Sequence, residues 1–160
     1  MMKRAILCLI IILAAPVFSQ TLRSSHFTAS VGGYFEYPVH PRWDQSLEIT
    51  VEAWVCREDS TRTETIVSHD ITQSWWMGFA GGALRFYRSG SFVDGTIITP
   101  EGQWTHVAVS YDGAKARFYV DGEFDTSKSL ENDGSGKTGP LYIGGDPFDF
   151  ITEDLLGFKG

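Results

Sequence analysis

Cysteine is nearly absent from this 160-residue chain, which has only Cys8 and Cys56. Cys8 lies in an N-terminal apolar run, so Cys56 stands alone in the remainder and an internal disulfide is excluded there. Lone cysteines are mostly buried, and Cys56 reads as a buried thiol or as half of an intermolecular bridge. Positive charge is also short: 13 Lys and Arg face 20 Asp and Glu, a formal net charge of −7. Such a balance argues against nucleic acid or anionic lipid as partner, and it is compatible with divalent cations or neutral sugars. The four histidines, His26, His40, His69 and His106, lack the spacing of a zinc site. No apolar run is long enough to span a bilayer. No internal repeat, helical period or interdomain linker is found.

The one pronounced apolar run, Ala5–Ala15, follows Lys3 and Arg4 and precedes Val17-Phe18-Ser19, where small residues occupy the expected cleavage positions. Residues 1–19 therefore read as a secretory signal peptide, with Gln20 as the mature start and a secreted, cell-surface or periplasmic destination. Cys8 lacks the small-residue motif that precedes a lipidated cysteine. Without Lys3 and Arg4, eleven basic residues face twenty acidic ones, a balance near −9.

Aromatics (14%) and glycine (17 residues) are plentiful, a mixture that suits short strands joined by tight turns. The clearest hairpin signal is Asp112-Gly113 between the alternating runs Trp104–Tyr111 and Lys115–Val120. Pairing Tyr111 with Ala114 sets Val109 opposite Ala116, Val107 opposite Phe118 and Thr105 opposite Val120. These residues form one apolar face. The opposite face carries Trp104, His106, Ala108 and Ser110 against Asp121, Tyr119, Arg117 and Lys115. Ser46–Arg57 alternates equally strictly, with Leu47, Ile49, Val51, Ala53 and Val55 on one face and Glu48, Thr50, Glu52, Trp54 and Cys56 on the other.

Further strands are expected at Phe27–Ser30, Gly33–Tyr37, Thr65–Ser68, Trp75–Phe79, Ala83–Arg88, Val93–Thr99 and Leu141–Ile143, with a hairpin turn at Gly81-Gly82 and a loop over Leu130–Gly139. About ten short strands with regular turn signals imply one all-β domain over residues 20–160, an antiparallel two-sheet sandwich.

Four segments carry a more specific likeness. Leu47-Glu48-Ile49-Thr50-Val51-Glu52-Ala53-Trp54-Val55, Gln103–Val109 with Tyr111-Asp112-Gly113, Phe118-Tyr119-Val120-Asp121-Gly122, and Leu141-Tyr142-Ile143-Gly144-Gly145 together resemble, in order, the laminin G-like domains of bacterial exported proteins, in the concanavalin A-like lectin/glucanase superfamily. The resemblance implies a jelly roll of two antiparallel sheets, from about Phe27 onward. It also implies a closing strand after an aromatic-x-Gly segment. Phe158-Lys159-Gly160 supplies the lead-in, so the domain is expected to lack its last strand and to be a fragment of a longer polypeptide. Such a fold hosts lectins, glycosidases, adhesion modules and spacers alike.

Candidate sites follow from this likeness. The glucanase branch carries Glu-x-Asp-x-x-Glu, whose alternation sets nucleophile and acid/base on one strand face. Here Glu123-Phe124-Asp125-Thr126-Ser127-Lys128 ends in lysine, and catalysis is not expected; a solvated edge after the hairpin is. Relatives often hold calcium at a sheet rim, and Asp70 and Asp146, with Asp149 nearby, are the loop acids that could ligate it. Trp75 and Trp76 are adjacent and must point to opposite faces, one into the core. The other, with Tyr87 or Trp54, would form an aromatic platform for a sugar ring, against the alternative of packing within the sandwich. The expected function is an exported, non-catalytic recognition or adhesion module for a glycan or an extracellular protein surface. An ancillary domain of a secreted glycoside hydrolase, or of another hydrolase, is the alternative.

Overall fold

The computed structural model describes residues 25–27, 33–43, 48–69, 74–88, 90–131 and 138–145, and the backbone of Leu155–Gly157. Eleven strands and no helix occur among them: β1 Phe35–Tyr37, β2 Ile49–Cys56, β3 Thr63–His69, β4 Trp75–Ala80, β5 Ala83–Arg88, β6 Ser91–Ile98, β7 Trp104–Tyr111, β8 Lys115–Val120, β9 Glu123–Ser129, β10 Leu141–Ile143 and β11 Leu155–Gly157. The larger sheet runs β1-β10-β3-β4-β5-β6; the smaller runs β2-β7-β8-β9. Every pairing between these strands is antiparallel except that of β11, which lies parallel to Thr63–Thr65 of β3, beside the stretch Val67–His69 that β10 occupies. Outside the strands, Arg57 and Glu101 form an isolated parallel bridge. This is the expected sandwich.

Alternation builds the core. Val107, Val109, Ala116 and Phe118 project from the smaller sheet, and Met77, Phe79, Leu84 and Phe86 from the larger; all eight are fully buried. At ~25 cal/mol per Å² of apolar area, this interleaved layer is the main favourable term holding the sheets together. Edge strand β2 buries Val55 fully and Ile49, Val51 and Ala53 partly, while Thr50, Glu52 and Trp54 face solvent, as the alternation implies.

The β7–β8 register differs from expectation by two residues. Tyr111 faces Ala116, Val109 faces Phe118 and Val107 faces Val120. The turn is centred on Gly113-Ala114, not Asp112-Gly113: the Asp112 N–H donates to the Lys115 carbonyl at 3.2 Å, and Gly113 takes φ +90°. Glycine at the first central position suits a primed hairpin turn. The Asp112 carboxylate then accepts from the N–H groups of Ala114 (3.1 Å) and Lys115 (2.8 Å). Because strand side chains repeat every two residues, the displacement leaves both faces as read.

The expected solvated edge after Gly122 is a seven-residue edge strand, β9, paired with β8 and exposed at Glu123, Phe124, Ser127, Lys128 and Ser129. Strands β2, β3 and β6 run Ile49–Cys56, Thr63–His69 and Ser91–Ile98 where Ser46–Arg57, Thr65–Ser68 and Val93–Thr99 were expected. Residues 28–30 of the first expected strand, like the signal-peptide segment, lie outside the described residues. Among the described residues no helix is long and apolar enough to cross a membrane.

One end of the sandwich is closed by Arg57, fully buried. Its guanidinium donates to Glu64 Oε2 (3.0 Å), Thr99 Oγ1 (3.0 Å) and the Asp59 carbonyl (2.9 Å), and it lies 4.2 Å over the Phe79 ring. Glu64 is equally buried, so the pair satisfies two charges that would otherwise be costly inside the protein.

Candidate ligand-binding site

In the smaller sheet, Trp54 faces His106 and Cys56 faces Trp104. Residues opposed in register share a face, so Trp54 and Trp104 are diagonal neighbours on the outer surface of β2 and β7. The inward positions of both strands are taken by the core, which leaves the indoles outside. Trp54 is 65% exposed and Trp104 56%. The imidazole of His106 lies beside Trp54, with ring centroids 5.4 Å apart, and its Nε2 is 3.6 Å from Glu52 Oε2. The Asp121 carboxylate accepts from the His106 backbone N–H at 2.9 Å and fixes this end of β7 against the β8–β9 turn.

Strand β1, at the edge of the larger sheet, brings Phe35 (50% exposed) and Tyr37 (47% exposed) to the same place. Their i, i+2 spacing puts both rings on one side of the strand. Phe35 is held edge-on by Phe27 at 5.4 Å and sits opposite Ile143 of β10. Together with Ser25, these residues and the two tryptophans line an open cleft of about 380 Å³ between the edges of the two sheets. Flat apolar rings next to an imidazole and a carboxylate can stack on the C–H faces of a sugar and exchange hydrogen bonds with its hydroxyls.

Of Trp75 and Trp76, one enters the core as expected, and the other packs within the sandwich and forms no platform with Tyr87 or Trp54. Trp75 is 3% exposed and belongs to the core, where its Nε1–H donates to the Trp43 carbonyl at 3.1 Å. Trp76 points to the other face, as alternation requires, yet is only 4% exposed. It stands between Ser68 and Tyr87, and its ring lies over Gly78: a Cβ there would come within 2.4 Å of the indole and 2.1 Å of the Glu64 carbonyl oxygen. Tyr87 is half-buried, and its hydroxyl accepts from the Gly90 N–H at 2.8 Å. Trp76 and Tyr87 are therefore in the larger sheet and Trp54 is in the smaller one, so they form no common surface. The platform that exists pairs Trp54 with Trp104, Phe35 and Tyr37. Trp104 was visible in the sequence on the same face as His106; the approach of β1 was not, because it joins segments far apart in the chain.

Asp70 and Asp146 lie outside the described residues, as does Asp149. Among the described residues no group of three or more His, Cys, Asp or Glu side chains could hold a metal ion. Of the carboxylates in the incomplete glucanase-like segment, Glu123 is exposed, and Asp125 is engaged with the backbone of β6. His69 and Ser74 form a hydrogen bond of 2.9 Å, but both are buried, and His69 Nε2 is within 3.1 Å of the Gly139 carbonyl. That pair ties a turn to a loop.

The sequence matches the family model of laminin G-like domains in the concanavalin A-like lectin/glucanases superfamily over residues 29–157. Among solved structures, a candidate carbohydrate binding protein from Bacteroides ovatus superposes with a TM-score of 0.62 at 19% identity, over 84% of this chain and 40% of that one. Domains LG4-5 of the mouse laminin alpha1 chain give 0.61 at 21% identity, over 84% and 38%. Domain 4 of an extracellular GH43 arabinanase from Geobacillus stearothermophilus, in complex with arabinotriose, gives 0.52 at 25% identity, over 72% and 56%. The chain thus spans less than two thirds of each of these structures. No curated protein sequence matches it.

Proposed function

This chain belongs to the laminin G-like family of the concanavalin A-like lectin/glucanases superfamily, and from that premise we propose that it is an exported, non-catalytic module that binds a neutral glycan in the Trp54–Trp104 cleft. One observation carries the reading: two neighbouring tryptophans, both more than half exposed, share a cleft with two exposed aromatics of the other sheet. Large apolar rings clustered on a surface mark an interaction site. Indole faces beside hydrogen-bonding groups suit a sugar better than a purely apolar partner.

The related structures support this direction, since two of the three bind or are described as binding carbohydrate. The absence of catalysis rests on the carboxylates. Lys128 stands where a retaining pair needs its second glutamate, and Asp125 is engaged by the Thr96 and Ile97 N–H groups and the Thr96 hydroxyl. Export rests on the N-terminal basic-apolar pattern and agrees with the extracellular setting of the arabinanase. That arabinanase domain also favours a second reading, in which the chain is an ancillary part of a longer secreted hydrolase and delivers it to polysaccharide.

Native electrophoresis of the chain through gels containing soluble arabinan or mixed-linkage β-glucan tests the proposal, alongside an assay for released reducing ends. Retardation by at least one polymer without release is the expected result. Release of reducing ends would make the chain an enzyme. Unretarded migration together with binding to an extracellular protein would move the function to a protein surface.

A further inference from the structure

The outer face of the smaller sheet continues past the cleft, and its rows can be read from the register. One row holds Trp54 and His106; the next holds Glu52, Ala108, Tyr119 and Phe124 on β2, β7, β8 and β9; the one after holds Thr50, Ser110, Arg117 and Ser127. At the far edge Phe124 is 57% exposed and stands edge-on to Tyr119, with centroids 5.8 Å apart. Aromatic rings therefore border this face on both sides, with the small side chain of Ala108 between them. In these rows the Arg117 guanidinium is paired with Asp112 at 2.7 Å, and the exposed Glu52 carboxylate lies 3.6 Å from His106 Nε2. Rows whose one guanidinium is already paired, with an exposed carboxylate, hydroxyls in the third row and rings at both margins, offer nothing to select an anionic polymer.

Building on the glycan-binding reading above, we propose that the ligand is an extended neutral polysaccharide that crosses all four strands, from Trp54 and Trp104 to a second stacking site at Tyr119 and Phe124. From β2 to β9 is three interstrand spacings, about 14 Å. One sugar ring cannot reach both margins, and a chain of several sugars can. The module consequently reads the interior of a polymer and not a terminal residue.

The experiment measures affinity of the full chain, by calorimetry, for linear arabinan and mixed-linkage β-glucan oligosaccharides of three and of six or more units, with polygalacturonate as the anionic control. The variants are Phe124→Ala, Tyr119→Ser and Trp54→Ala, each checked for an unchanged thermal melt. For the neutral polymer that binds, affinity rises with length, and Phe124→Ala or Tyr119→Ser removes about tenfold for the long ligand with little effect on the trisaccharide. Trp54→Ala weakens both lengths, and polygalacturonate does not bind. If Phe124→Ala and Tyr119→Ser leave long-chain affinity unchanged while Trp54→Ala abolishes it, the second stacking site is wrong and the cleft reading survives. If no neutral glycan of any length binds, both are wrong. Tight binding of polygalacturonate would overturn the neutrality argument alone.

Discussion

Asp125 of β9 holds Thr96 of β6 at two points: its carboxylate accepts from the Thr96 backbone N–H at 2.8 Å and from the Thr96 hydroxyl. The Ile97 N–H adds a third contact at 3.3 Å. Strands β6 and β9 end the larger and smaller sheets, so this carboxylate joins the sandwich along one open side. The approach is close enough that a Cβ on Gly95 would come within 2.6 Å of Asp125 Oδ2. An acid in this position is a latch, both of its oxygens engaged with β6.

Asp125→Ala should therefore lower stability by about 1–3 kcal/mol, the range for losing hydrogen bonds to a charged group. Glu123→Gln, two residues away and exposed, should change it little. Urea unfolding of both variants checks the contrast, and equal effects would show that the latch contributes nothing.

The buried pair Arg57–Glu64 makes a different prediction. Glu64→Gln or Arg57→Met alone leaves a charge or its partners uncompensated and should cost roughly 3–5 kcal/mol. Arg57→Met combined with Glu64→Leu should recover part of that loss, because hydrophobic groups replace both charges. Recovery will be incomplete, since Thr99 Oγ1 and the Asp59 carbonyl also lose their donor. A double variant no better than the singles would refute the account of the pair.

Asp112 gives the pH dependence its sign. The Lys115 N–H above all, then the Arg117 guanidinium and the Ala114 N–H, hold its carboxyl at about 2, below the usual 3.8. A carboxyl with a lowered folded-state value stabilises fully above its unfolded value and stops doing so as pH falls through the folded one. Between pH 4 and pH 2 the wild-type melting temperature should thus fall more steeply than that of Asp112→Asn. Parallel curves would mean that the turn carboxylate is not linked to folding.

The core hairpin supplies a simpler test. Val107 is fully buried between β2 and β8, and Val107→Asp places an unpaired charge there. The variant should fail to fold, seen as loss of the cooperative melt. An unchanged melt would reverse the assignment of faces.

Much of this was legible in the sequence because strand geometry has a period of two. The faces of β2, β7 and β8 follow from alternation alone, and they survived a turn misplaced by one residue. Asp112-Gly113 looked like the centre of the turn because the side-chain capping that makes Asp112 its first residue leaves no mark on the pattern. The outer indole follows the packing alternative and not the sugar-stacking one, for another reason. Alternation correctly sent Trp75 and Trp76 to opposite faces, but it could not show that Gly78 gives the outer indole room to lie flat, buried, against the sheet. Nor could it show which of the two sheets a strand joins, and that separates Trp54 from Tyr87. The cleft forms where β1 meets β2, and the Asp125 latch where β6 meets β9. Both are encounters between sheets, for which a single sequence offers no local signal.

The most direct test is calorimetric titration of the wild type, Trp54→Ala and Trp104→Ala with the polysaccharide that retards the wild type in a gel. Both indoles are exposed, so both variants should keep the wild-type melt. Each should lose at least about tenfold in affinity, the scale of one stacking contact. Wild-type affinity in both folded variants would contradict the cleft as the glycan site, and with it the central claim.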